Sequence, residues 1–211
     1  MSGVAPAPVA EPVATPTDRD LALMMGAALI RQCEGCTLHP VPDTPPHWQI
    51  GYGCNYLADG SPVRPTTPPL ADIAAAEALL QAILRPLAAE VDREIRMPVS
   101  ANQRAALYSF TWNEGIGALQ ASTLLRLVNE GRTQTAADEF PKWIYAAGRK
   151  MDGLVRRRAL EQAVFLGKVA PMTPDFDPRP LPLGLQFLLV AAILVNLLLV
   201  CVVGFVIRNW W

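Results

Sequence analysis

Residues 185–207 read LQFLLVAAILVNLLLVCVVGFVI, a run of 23 positions without one charge, in which Gln186 and Asn196 are the strongly polar side chains. A helix of that length rises ~34 Å, enough to cross a hydrocarbon core of about 30 Å with some tilt. Arg208, Trp210 and Trp211 follow, as suits a membrane–water interface. A core helix of this kind would need covering on every side, which a domain of this size cannot supply. The stretch 183–208 is therefore assigned as a C-terminal transmembrane helix, with 209–211 as a short tail. Lys168 and Arg179 before the helix nearly balance Arg208 after it, so charge does not orient the span. Asn196 near its middle offers an interhelical hydrogen bond and hence self-association in the bilayer; a single tolerated polar residue is the equal alternative.

Proline brackets the rest of the chain. Pro6, Pro8, Pro12 and Pro16 lie in an Ala- and Val-rich segment, 1–17, read as a disordered or polyproline-like arm. That arm does not read as a secretory signal. It lacks a basic start, and the apolar run 21–30 is short and sits between Asp18, Asp20 and Gln32. At the other end Pro171, Pro174, Pro178, Pro180 and Pro182 make 168–182 a stiff linker. At ~3.1 Å per residue it would hold the body ~40 Å from its anchor. The body between, 18–167, is long enough for one core. A net charge of −1 argues against nucleic acid as a partner.

Within the body, helix signals dominate. Thr17 or Asp18 caps a helix over 17–33 that Gly35 stops. The segment 37–65 is dense in Pro, Gly, Asp and Asn, and Trp48-Gln49-Ile50-Gly51-Tyr52-Gly53 alternates as a small hairpin sheet does. Helix returns over 67–95, where Pro86 is expected to kink or divide it. Ser100 and Gln103 form a capping box, and behind it Ala106, Leu107, Phe110 and Thr111 share a face. Further helices are expected at 122–129, 135–145 and 154–166. The class is α+β, with one small sheet near the front.

Glu34, at the end of the first helix, and Asp43, in the loop beyond, are a candidate acid pair. Glycosidic cleavage needs two carboxyl groups in different environments. One protonates the leaving oxygen; the other, ionised, activates water or stabilises the cationic sugar. Among 19 acidic residues, pairing alone is weak support.

The surrounding motifs are more specific. Cys33-Glu34-Gly35, Asp43 after eight intervening residues, and Gln49 after five more, followed by Ile50-Gly51-Tyr52-Gly53, resemble the catalytic segment of the phage-type lysozymes, the endolysin family of glycoside hydrolases. The resemblance continues through Asn102 to Phe110, Asn113-Glu114-Gly115, Ser122 to Leu125, Ala136 to Phe140, Trp143 and Gly153 to Arg158, covering roughly 18–167. It implies a lysozyme-like fold, a larger helical lobe and a small sheet lobe joined by a long helix near 70–96. It also implies an N-acetylmuramidase that cuts the β-1,4 bond from N-acetylmuramic acid to N-acetylglucosamine in peptidoglycan glycan strands, for host-cell lysis by a phage or prophage. Glu34 then resembles the general acid and Asp43 its partner. No cofactor or metal is implied.

Two positions depart from the family. Gln49 stands where the family has Thr; its amide also donates and accepts, but from further out. Hydrolysis, a shift toward lytic transglycosylation, or loss of activity are the resulting alternatives. Cys54 stands where the family has His. With Cys33 and Cys36 it reads first as a set of small buried hydrophobes, second as a disulfide lock across Glu34, and last, with His39 and His47, as a metal set. The run Arg156-Arg157-Arg158 reads first as mostly solvated surface, with a pairing of one of the three with Glu34 as the alternative. The rival class is a non-catalytic anchored module that binds peptidoglycan or assembles membrane lesions as holins do. The expected location is the inner membrane, single-pass, with periplasmic peptidoglycan as substrate. A span engaged so late in synthesis leaves the domain on the cytoplasmic side by default, so reaching the substrate would require membrane disruption or a flip.

Overall fold

A computed structural model describes residues 17–171 apart from Pro45. The arm, most of the linker and the assigned transmembrane helix 183–208 lie outside the described residues. Among those described, no helix is long and apolar enough to cross a membrane.

Among the described residues, seven α-helices and two small hairpins follow one another. The front of the molecule holds α1 (Asp18–Glu34), β1 (Thr37–Pro42), β2 (Trp48–Gly51) and α2 (Ile73–Glu94). The remainder holds α3 (Ala101–Glu114), α4 (Ile116–Ala121), α5 (Thr123–Asn129), α6 (Thr133–Ala137), β3 (Tyr145–Ala146), β4 (Arg149–Lys150) and α7 (Asp152–Phe165). Both helix starts legible in the sequence carry full capping boxes: Thr17 with Asp20 on α1, and Ser100 with Gln103 on α3. Each satisfies two backbone donors that a helix start otherwise leaves unpaired.

The centre is α3, whose residues from Ala105 to Thr111 are all buried. A helix enclosed on all sides belongs in the middle of a domain, and α1, α2 and α7 pack around it. The three hydroxyls of that run are partnered: Thr111 donates to the Leu107 carbonyl at 2.8 Å, Ser109 to Glu161 on α7 at 2.7 Å, and Tyr108 to Asp92 on α2 at 2.8 Å. The sheet lobe has its own cluster, Ile50, Cys54, Val63 and Leu79, with Trp48 and Ile83 against it. α2 sends Leu79 into that cluster and Leu80, Leu84, Ala88 and Val91 into the helical core, so it ties the lobes together. Trp112 packs against both.

Pro86 lies inside α2, which runs from Ile73 to Glu94 as one helix, so of kink or division the second is not found. Two expectations need correction. The helix expected over 135–145 ends at Ala137, and Pro141 sits in a short 3₁₀ turn, Phe140–Lys142, because a proline ring clashes with the preceding turn. Beyond it a second hairpin, Tyr145 to Lys150, turns through Ala147 and Gly148, both with positive φ. Its strands are two residues each, too short for alternation to reveal.

Candidate active site

Glu34 is the last residue of α1, and the hairpin β1–β2 departs and returns beside it. β1 begins three residues later, and after β2 the chain passes back at Gly53, where a methyl group would stand 3.0 Å from Glu34 Oε2. The carboxyl thus lies at the junction of the lobes, 21% exposed. Its Oε1 accepts a hydrogen bond from Arg157 Nη1 on α7.

Arg157 and Arg158 are buried, and Arg156 alone of the three is exposed. The reading of this run as mostly solvated surface is thereby corrected, and the alternative, a pairing with Glu34, is present. Arg157 donates through Nε to Glu161 at 3.0 Å and through Nη2 to the Ser109 carbonyl at 3.0 Å. Arg158 donates to Glu161, to Asn113, to Glu114 at 2.7 Å and to the Trp143 carbonyl at 3.2 Å. Its guanidinium also lies over the Phe110 ring, 4.8 Å from the centroid. Burial by itself disfavours the Arg157 charge, but Glu161 and Glu34 more than offset it, and the group titrates above its ordinary range. Glu161 is fully buried and had no place in the sequence reading. The signal was available: residues 157, 158 and 161 stand at i, i+4 and i, i+3 on one helix face, the spacing of ion pairs.

A concavity of about 570 Å³ opens at this point, lined by Cys33, Glu34, Asn113, Met151, Leu154 and Arg157 among others. It is ample for a sugar unit. Asp43 and Gln49 do not line it. Both sit on the hairpin: Gln49 pairs with Val41, and the Asp43 amide donates to the His47 carbonyl at 3.0 Å, extending the ladder. Trp48 packs on the sheet-lobe core and Ile50 is fully buried. Alternation therefore turns Gln49 to the opposite face, and register places Asp43 with it. Asp43 is exposed, and its Oδ2 accepts from Asn55 Nδ2 at 3.1 Å. Asn55, two residues past Gly53, also donates to the Trp48 carbonyl at 3.1 Å, which sets the hairpin end against the returning chain.

The cysteines divide. Cys54 is buried, exchanges both backbone hydrogen bonds with Ile50, and burial pushes its thiol up to about 12. Cys33 is half-buried and raised for the same first reason, while Cys36 is exposed. All three are free thiols, so no disulfide spans Glu34 in this structure. Among the described residues no group of three His, Cys, Asp or Glu side chains is gathered to hold a metal.

A long helix joining two lobes, with a carboxyl at the junction and a hairpin folded over it, defines the lysozyme-like class. The phage lysozyme family model matches residues 31–161, and the chain belongs to that family. It is 40% identical over 142 residues to an endolysin of Bacillus phage PZA, an alignment covering 66% of this chain and 53% of that protein. The chain thus spans about half the length of the curated relatives it matches. Among solved structures it is similar to an endolysin from Escherichia coli O157:H7 phage FAHEc1, at 32% identity and TM-score 0.62, covering 70% of this chain and 94% of that one. It is likewise similar to the muramidase domain of SpmX from Asticaccaulis excentricus, at 34% identity and TM-score 0.56, covering 67% and 94%.

Proposed function

We propose that this protein is an endolysin-type muramidase that hydrolyses the β-1,4 bond from N-acetylmuramic acid to N-acetylglucosamine in peptidoglycan, carried on a membrane by 183–208. The observation that carries the reading is the Glu34 carboxyl, held at the lobe junction with one oxygen on Arg157 and the other against Gly53, facing a sugar-sized concavity. Glu34 passes its proton to the glycosidic oxygen as the bond to the muramic acid anomeric carbon breaks. Asp43 takes a proton from the water that adds to that carbon, and Gln49, on the same hairpin face, holds the water. Membrane attachment rests on the length and lack of charge of the tail.

Digestion of purified sacculi tests the chemistry. Wild-type protein releases muropeptides with reducing muramic ends, and Glu34→Gln lowers the rate by roughly 10²–10⁴-fold, the usual worth of a general acid. Lysis that persists undiminished in Glu34→Gln sinks the reading, and anhydro-muramic products assign the same cleft to lytic transglycosylation.

A second reading has its own observation: Gln49 replaces the expected Thr, and neither it nor Asp43 lines the concavity that holds Glu34. On that reading the domain is an anchored module that grips glycan without cutting it. Wild-type protein that sediments with sacculi yet leaves them intact, while Gln49→Thr solubilises them, selects it.

A further inference from the structure

We infer that Glu161 is a positioning residue for this reaction: it anchors the guanidinium of Arg157 by its Nε edge, so that Arg157 presents Nη1 to Glu34 and divides its charge between two carboxylates. The inference rests on the acid role proposed for Glu34.

Both Glu161 oxygens are occupied. Oε1 accepts from Arg157 Nε at 3.0 Å and from Ser109 Oγ at 2.7 Å, and Oε2 accepts from Arg158 Nη1. The side chain has no exposure, so these contacts are not screened by solvent. An arginine has one planar fork of donors in fixed directions. With Nε on Glu161 and Nη2 on the Ser109 carbonyl, the direction of Nη1 is determined, and Glu34 lies along it. Glu161 serves Glu34 without touching it or any substrate.

The electrostatic consequence has a definite sign. A guanidinium stabilises a neighbouring carboxylate anion, and one already compensated by a second carboxylate does so less. Removing the charge at 161 leaves Arg157 to act on Glu34 undivided, which favours loss of the Glu34 proton. The other groups facing this pair come from each packed element. α1 supplies the Cys33 thiol, and α3 supplies Ser109, Asn113 and Glu114, the last engaged with Arg158. The sheet lobe presents Gly53 and the buried Cys54 thiol. On α7 itself Arg158 shares Glu161, and Arg156 is exposed.

The test uses the full chain in detergent micelles. In wild type the Arg157 Nε–H gives a resolved, slowly exchanging NMR resonance; exchange as fast as an exposed arginine's overturns the inference without any variant. Glu161→Gln is expected to move the alkaline limb of the pH–rate profile on sacculi about one unit toward acid, and Glu161→Asp to restore it. Because Glu161→Gln leaves two buried guanidinia with one less carboxylate, the charge-balanced pair R158Q/E161Q is the companion, with the same direction of shift. A folded variant with an unmoved limb and an unchanged Arg157 resonance overturns the assignment and reduces Glu161 to a stability element. If wild type cuts no sacculi at all, the muramidase reading fails, while the Arg157 resonance still reports on the anchoring.

Discussion

At Gly53 the backbone has φ +76°, and a β-carbon there would stand 3.0 Å from Glu34 Oε2 and 3.1 Å from its Cδ. Gly51 has a similar φ, +64°, but the nearest atoms to its β-carbon would be on Leu70, Ala76 and Leu79 at 3.5–3.8 Å, ordinary contact. The two glycines therefore separate strain from displacement of the acid. Each change to alanine is expected to cost about 1–2 kcal/mol for the left-handed backbone. Gly53→Ala alone also displaces the carboxyl and is expected to lower kcat by a further ten- to hundredfold. Thermal melts together with rates on sacculi check the pair, and equal losses of rate in both would deny Gly53 its special place. The candidate acid was legible in the sequence because the spacing around it is specific. Its setting was not, since Arg157 reaches it from α7 through space, held in turn by Glu161 and by Ser109 of α3.

Between elements, the junction of α1, α2 and α3 is tied by Asp92. Its carboxylate forms an ion pair with Arg19 at 3.1 Å and accepts from the Tyr108 hydroxyl at 2.8 Å and from Arg104. Burial, then the bond to Asp92, raises the Tyr108 phenol well above its usual 10.0. The sign follows from linkage. A group whose folded value is raised contributes stability that is whole below the unfolded value and lost as pH climbs beyond it. Stability is therefore expected to fall above about pH 10, where only the unfolded chain ionises this tyrosine. Tyr108→Phe removes that dependence and costs about 1–3 kcal/mol at neutral pH through the lost hydrogen bond to a charged acceptor. Urea melts at pH 8 and pH 11 measure both effects; an identical alkaline loss in the variant would place its cause elsewhere. Helix starts were readable here because capping is local chemistry. The second hairpin was not, because it is held by its turn and by the return of the Met151 amide to the Ile144 carbonyl at 2.9 Å.

On the scale of the whole molecule, the lysozyme-like body and the apolar tail make separable predictions. If 183–208 anchors the chain, full-length protein is expected to pellet with membranes and to leave them only in detergent. A chain ending at 171 should remain in the supernatant with an unaltered melting temperature. Carbonate extraction followed by melting measures both, and full-length protein released by carbonate alone would remove the anchor from the account. Protease accessibility of the body in intact spheroplasts then assigns its side of the membrane.

Class, capping sites, the long α2 and the candidate pair Glu34 and Asp43 all follow from the order of residues, because propensity, caps and motif spacing are local properties. The fate of the three arginines, the free state of the cysteines near Glu34 and the burial of Glu161 were decided only by packing. A charge is buried or solvated according to which helices close over it, and no stretch of sequence around 156–161 states that α3 will.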